Sequence, residues 1–146
     1  MTIDEIKAAL KTKEYDFLRN NEHLGKNIIL LGLGGSHAYG MEHKDSDLDV
    51  RGIALSSKSE ILLGNDFDQV VDTPTDTTIY SFNKIITLLS SNNPNTVELL
   101  GLKPEHYLYL SDIGRELLDN KKMFLSKICI KSFAGYSQSQ LRRMEN

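Results

Sequence analysis

The sequence predicts an α+β domain, a mixed β-sheet flanked by helices, on three observations. Short apolar runs rich in branched residues crowd the first half of the chain, apolar positions at helical spacing dominate the second, and strands lead rather than alternate with helices. The 146 residues suit one hydrophobic core, so a single domain spanning 1–146 is expected, with a core over about 27–100 and a helical C-terminal segment over about 101–146.

The elements follow in order. Ile3, Ile6, Leu10, Phe17 and Leu18 recur at helical spacing behind Thr2, which predicts an opening helix over Ile3 to Leu18. Asn20, Asn21 and Gly25 break it, and Asn27 to Leu33 reads as a buried strand ending on Gly34-Gly35. After a polar loop over Glu42 to Ser46, Asp47 to Leu55 alternates polar and apolar before turning apolar, as a strand entering a core does, with Leu48 and Val50 facing inward. Ser56 to Asp68 carries few regular signals apart from Ile61-Leu62-Leu63. Gln69 to Asp72 and Thr77 to Phe82 read as two antiparallel strands around a Thr-Pro-Thr-Asp turn. Helices are expected over Asn83 to Leu89, Asn95 to Leu100, Ser111 to Leu118 and about Ser126 to Arg143. Glu98, three residues after Asn95, fits a helix-start box and is given a structural role.

Composition narrows the function. With 40% hydrophobic and 25% charged residues the chain is that of a folded protein rather than a disordered one. A net charge of −3 gives no footprint for strong duplex nucleic-acid binding. Cys129 sits alone in an apolar run and reads as a buried thiol, in keeping with a reducing cytoplasm. The longest apolar stretch, Ile28 to Leu33, is far short of the roughly 20 residues a membrane-spanning helix needs, and the N-terminus is charged, so no membrane partner and a cytoplasmic location are expected.

The chemistry concentrates at two places. Residues two apart in a strand share a face, so Asp47 and Asp49 place two carboxylates side by side, about 6–7 Å apart at the backbone. Two like charges so placed repel unless a cation or strong donors neutralise them, and carboxylate oxygens favour magnesium. An Asp-x-Asp alone is also what an exposed strand edge produces. Its setting sharpens the reading, because the apolar strand before it ends in Gly34-Gly35-Ser36, whose backbone N–H groups are open to a phosphate. A tight turn is the plainer meaning of that glycine pair. No Gly-Lys-Ser/Thr follows, and the dinucleotide-binding spacing fails. Arg51 shares the parity of the aspartates, placed to hold a phosphate or to pair with one of them. His37 and His43 lack partners at zinc-ligand spacing and read as surface or capping residues, and Tyr39 as a packing residue. In the last helix, Tyr136, Gln138, Gln140, Arg142 and Arg143 read as a solvated face.

Taken together, Leu33-Gly34-Gly35-Ser36-His37-Ala38-Tyr39-Gly40 and Ser46-Asp47-Leu48-Asp49-Val50-Arg51-Gly52 resemble the nucleotidyltransferases of the DNA polymerase β superfamily, and most nearly its bacterial and phage YcgL-like group. The resemblance continues through Thr78 to Phe82, Asn93-Pro94-Asn95 with Glu98-Leu99-Leu100, and Phe133 to Tyr136 with Gln140. It implies a nucleotidyltransferase fold and transfer of a nucleoside monophosphate from a nucleoside triphosphate, ATP among them, to a hydroxyl of a protein, RNA or small molecule, with release of pyrophosphate. Two Mg2+ ions about 3.5–4 Å apart would serve that reaction. Asp47 and Asp49 would be metal ligands and catalytic residues, and Gly35, Ser36 and Arg51 would bind the nucleotide. The resemblance also implies a third catalytic carboxylate from a neighbouring strand; Asp76 is placed ahead of Asp72, either being equally readable as turn chemistry around Pro74. The sequence stops at Asn146, where proteins of this kind continue into a further helical region, which leaves a truncated enzyme, a naturally short relative or a site completed by association as alternatives. A non-catalytic nucleotide-binding module, regulatory or antitoxin-like, is the competing function.

Overall fold

The computed structural model describes residues 2–35, 48–125, 134–135 and 142. Among them lies a five-stranded mixed sheet: β1 (Ile28–Leu33), β2 (Val50–Ala54), β3 (Gln69–Asp72), β4 (Thr77–Ser81) and β5 (Tyr107–Leu110), in the order β3-β4-β2-β1-β5. β2 and β4 run parallel, with Val50 opposite Thr77, and every other pairing is antiparallel. The expected α+β class, with helices flanking a mixed sheet, is what forms.

Strand order departs from the expectation in one respect: strands do not all lead. β5 follows two helices and adds to the free edge of β1, pairing Leu31 with Tyr109. Tyr107-Leu108-Tyr109-Leu110 carried the alternation of a strand, but the helical segments on either side outweighed it in a reading by region.

The opening helix is also shorter than its apolar spacing suggests. α1 (Ile3–Ala9) starts on a reciprocal Thr2–Glu5 capping box, ends at Leu10, and gives way to a 3-10 turn at Lys13–Tyr15 and a short α2 (Phe17–Asn20). The Arg19 guanidinium folds back on this break and donates to the carbonyls of Leu10 at 2.7 Å and Thr12 at 2.9 Å. Those contacts satisfy helix-end acceptors that a continuous helix would have used itself. A helix the sequence reading passed over, α3 (Lys58–Leu63), sits in the weakly patterned stretch; Ser57 and Glu60 form its capping box and Gly64 ends it in the left-handed conformation.

The remaining described helices are α4 (Phe82–Ser90), α5 (Pro94–Leu100) and α6 (Asp112–Asp119), N-capped by Ser81, Asn93 and Ser111. In α5 the cap is Asn93, whose side chain accepts from the Thr96 backbone N–H, so the box expected between Asn95 and Glu98 does not exist. Proline at the first helical position fixes the earlier start, since its missing N–H is one the helix would leave unpaired anyway. The expected helix over about 126–143, with Cys129 in it, lies almost wholly outside the described residues.

Each face of the sheet buries its own cluster. Leu31, Leu33, Val50 and Ile79 pack under the N-terminal helices through Ile6 and Leu18. Leu30, Ile53 and Tyr80 pack on the other face under Ile85 and Leu89 of α4, Leu99 of α5 and Leu117 of α6. The functional residues lie on this second face, at the end of the sheet where β1 finishes and β2 and β4 begin.

Candidate active site

Strand parity decides what meets at that end. Gly32 and Gly34 share a face, and Gly32 is the register partner of Arg51. Beyond the last paired residue the ladder continues for one more bond, from the Gly34 N–H to the Asp49 carbonyl at 2.9 Å. Asp49 is thereby locked across from Gly34, on the same face as Arg51.

The Asp49 carboxylate is 9% exposed and held from two sides. Arg51 Nε donates to Oδ1 at 3.2 Å and Nη2 to Oδ2 at 2.9 Å, a forked pair within one strand. Burial works against the Arg51 charge, but the hydrogen bonds and charge of Asp49, with a smaller contribution from Tyr80, outweigh it and raise the guanidinium above its ordinary value. On the opposite side are the two glycines. A Cβ on Gly34 would lie 2.7 Å from Cγ and from both oxygens of Asp49, and one on Gly35 would lie 3.2 Å from Oδ2. Gly35 also has φ of +56°, a left-handed conformation that favours glycine. The glycine pair therefore makes room for the carboxylate first, which the reading of the turn as a phosphate cradle had not included.

Asp76 reaches the site through its backbone: its carbonyl accepts from the Val50 N–H at 3.2 Å, next to Asp49 on the neighbouring strand. Its φ is +46°, its side chain is exposed, and no described residue bonds its carboxylate. It lines a cavity of about 490 Å3 together with Glu14, Tyr15, Leu48 and the Thr73–Thr75 turn. Asp72 is engaged otherwise. Its Oδ2 accepts from the Thr75 N–H at 3.2 Å and from Thr75 Oγ1 at 2.7 Å, closing the β3–β4 turn.

Asp47 and Ser36 lie outside the described residues, as do His37, Tyr39 and His43. Among the described residues no group of three His, Cys, Asp or Glu side chains is arranged to hold a metal. Asp49 still fits a cation, because a carboxylate offers about four lone-pair positions and Arg51 occupies two. Among the described residues no helix is long and apolar enough to cross a membrane.

Comparison with known proteins agrees with the geometry. The chain is 26% identical over 119 residues to an uncharacterized 38.9 kDa protein in the nrdC-mobD intergenic region of Enterobacteria phage T4, a match covering 73% of this chain and 35% of that protein. It thus spans about a third of the length of its phage relative. No solved structure matches. The family described as the RNA repair pathway DNA polymerase beta family, RlaP, matches residues 5–146. The chain belongs to this family of DNA polymerase β-like nucleotidyltransferases.

Proposed function

We propose that the chain is the core of a magnesium-dependent nucleotidyltransferase that moves a nucleoside monophosphate from a nucleoside triphosphate to a hydroxyl acceptor. The observation that carries this reading is the Asp49 carboxylate, buried beneath a glycine pair at the end of the sheet with lone pairs still free. A buried acid so placed is costly unless a positive partner meets it.

In the proposed reaction the acceptor oxygen attacks the α-phosphorus. A new P–O bond forms, the bond between the α-phosphorus and the α,β-bridging oxygen breaks, and pyrophosphate leaves with that oxygen. The acceptor proton passes to a carboxylate, for which Asp76 is the candidate because its oxygens are unengaged beside the Asp49 backbone. Asp47 and Asp49 would hold magnesium, which supplies charge neutralisation on the phosphates and a lowered pKa for the attacking group. Gly35 and Ser36 would present backbone N–H groups to the triphosphate. Arg51 holds Asp49 in the orientation seen and, where a cation takes over that neutralisation, is free to turn to a phosphate. The family description names an RNA repair pathway, which makes an RNA end the first acceptor to try.

One observation favours a second reading. The Arg51–Asp49 pair neutralises the carboxylate without any cation, as suits a nucleotide-binding module that does not turn over. Calorimetric titration of each nucleoside triphosphate with and without magnesium, on wild type and Asp49→Asn, separates the two. Magnesium-dependent binding lost in the variant supports the enzyme, whereas binding indifferent to both magnesium and Asp49 supports the module.

A further inference from the structure

One carboxylate on the active face has no assigned work. Glu98 lies on α5, the helix laid over Gly32: a Cβ there would meet Leu99 Cδ1 at 3.1 Å and Leu102 Cδ1 at 2.6 Å. Gly34, on the same face two residues along β1, is covered by the Asp49 carboxylate instead. The α5 surface and Asp49 therefore sit side by side over β1, about 7 Å apart along the strand. Glu98 precedes Leu99 and stands one helical turn before Leu102, on the flank of α5 that meets this part of the sheet.

Two further facts separate Glu98 from an ordinary surface acid. Its Oε1 is buried without a hydrogen-bond partner. It also does not cap α5, since Asn93 does so through Thr96. A buried carboxylate oxygen without a donor destabilises a fold and is retained where something outside the fold completes it. The forked guanidinium on this face, Arg51, is already committed to Asp49, so charge balance asks for a cation rather than another neutral donor.

We propose that Glu98 is a further carboxylate of the divalent-cation site begun by Asp49, supplied by α5 rather than by a strand. This rests on the nucleotidyltransferase reading and deepens it. Asp49 anchors the cation from the sheet, and Glu98 approaches from the helix that covers the same face.

The test compares wild type, Glu98→Gln, Glu98→Met and Asp49→Asn. Mn2+ binding is followed by electron paramagnetic resonance with a triphosphate analogue that has a non-hydrolysable α,β link, and thermal unfolding is followed without metal. Both Glu98 variants are expected to bind Mn2+ about tenfold more weakly or worse, because ligand charge sets affinity for hard cations. Glu98→Met, which removes the unpartnered oxygen, is expected to unfold at a higher temperature than wild type in the absence of metal. Unchanged Mn2+ affinity in both variants, with Asp49→Asn impaired, would overturn the assignment of Glu98 alone. A lowered metal-free unfolding temperature for Glu98→Met would overturn it as well, by revealing a structural partner. Failure of wild type to bind Mn2+ would overturn this proposal and the nucleotidyltransferase reading together.

Discussion

Replacing Gly34 by alanine adds one methyl group at the most crowded point of the site. The new Cβ would lie 2.7 Å from Asp49 Cγ, Oδ1 and Oδ2, against 3.4 Å for ordinary contact, so the carboxylate or the β1 backbone must move by about 0.7 Å. Neither moves freely. The Gly34 N–H is bonded to the Asp49 carbonyl at 2.9 Å, and both carboxylate oxygens are bonded to Arg51. Overpacking a constrained site costs about 1–3 kcal/mol. For a chain of this size that lowers the thermal midpoint by roughly 3–10 °C. The cost should depend on the carboxylate, so in an Asp49→Ala background the same Gly34→Ala change should cost about 1 kcal/mol less or better. Calorimetry of the four proteins in this cycle measures the coupling. A Gly34→Ala midpoint equal to wild type, or an equal loss in both backgrounds, would refute the claim that this glycine exists to admit Asp49.

Three other perturbations have distinct signatures. Arg51→Met strips the donors from a buried carboxylate and should destabilise by about 1–3 kcal/mol; magnesium should raise the thermal midpoint of that variant more than that of wild type. Asp76→Asn should leave the midpoint within about 0.5 kcal/mol of wild type while reducing nucleotide transfer, as befits an exposed residue, whereas Asp72→Ala should cost about 1 kcal/mol through the two lost Thr75 bonds and spare nucleotide binding. Glu60, held below its ordinary value of 4.5 by the Ser57 hydroxyl and backbone and then by His23, stabilises the fold while ionised. Its folded-state value lies below the unfolded one, so its contribution is present above about pH 4.5 and lost as pH falls through the depressed value. The gap in thermal midpoint between wild type and Glu60→Gln should therefore close on acidification below pH 4.5.

What the sequence made legible was whatever short-range chemistry controls. The β3–β4 hairpin follows from Thr-Pro-Thr-Asp, and β1 from its unbroken apolar run, buried on both faces by helices. The shared face of Asp49 and Arg51 follows from parity alone. What it obscured were choices made by partners distant in sequence. β5 is a strand because the edge of β1 needs donors and acceptors. The opening helix breaks where Arg19 offers donors to carbonyls that could equally have stayed helical. Glu98 was misread because two asparagines compete to start α5, and the proline between them settles the matter in favour of Asn93.

That misreading bears on the function. Had Glu98 been a capping residue, its burial would need no further account, and the face over β1 would carry a single acid already neutralised by Arg51. Freed from the cap, it leaves that face with two buried carboxylates and one guanidinium spent on the first. Asp47, if β2 extends back through it, adds a third charge to the same face. A stable domain does not gather uncompensated acids at one end of a sheet without a partner, since each further charge raises the cost of the others. The glycines that would clash with any side chain at that end keep the space open. The arrangement is thus more easily understood as half of a complex with cation and phosphate than as a finished piece of folding.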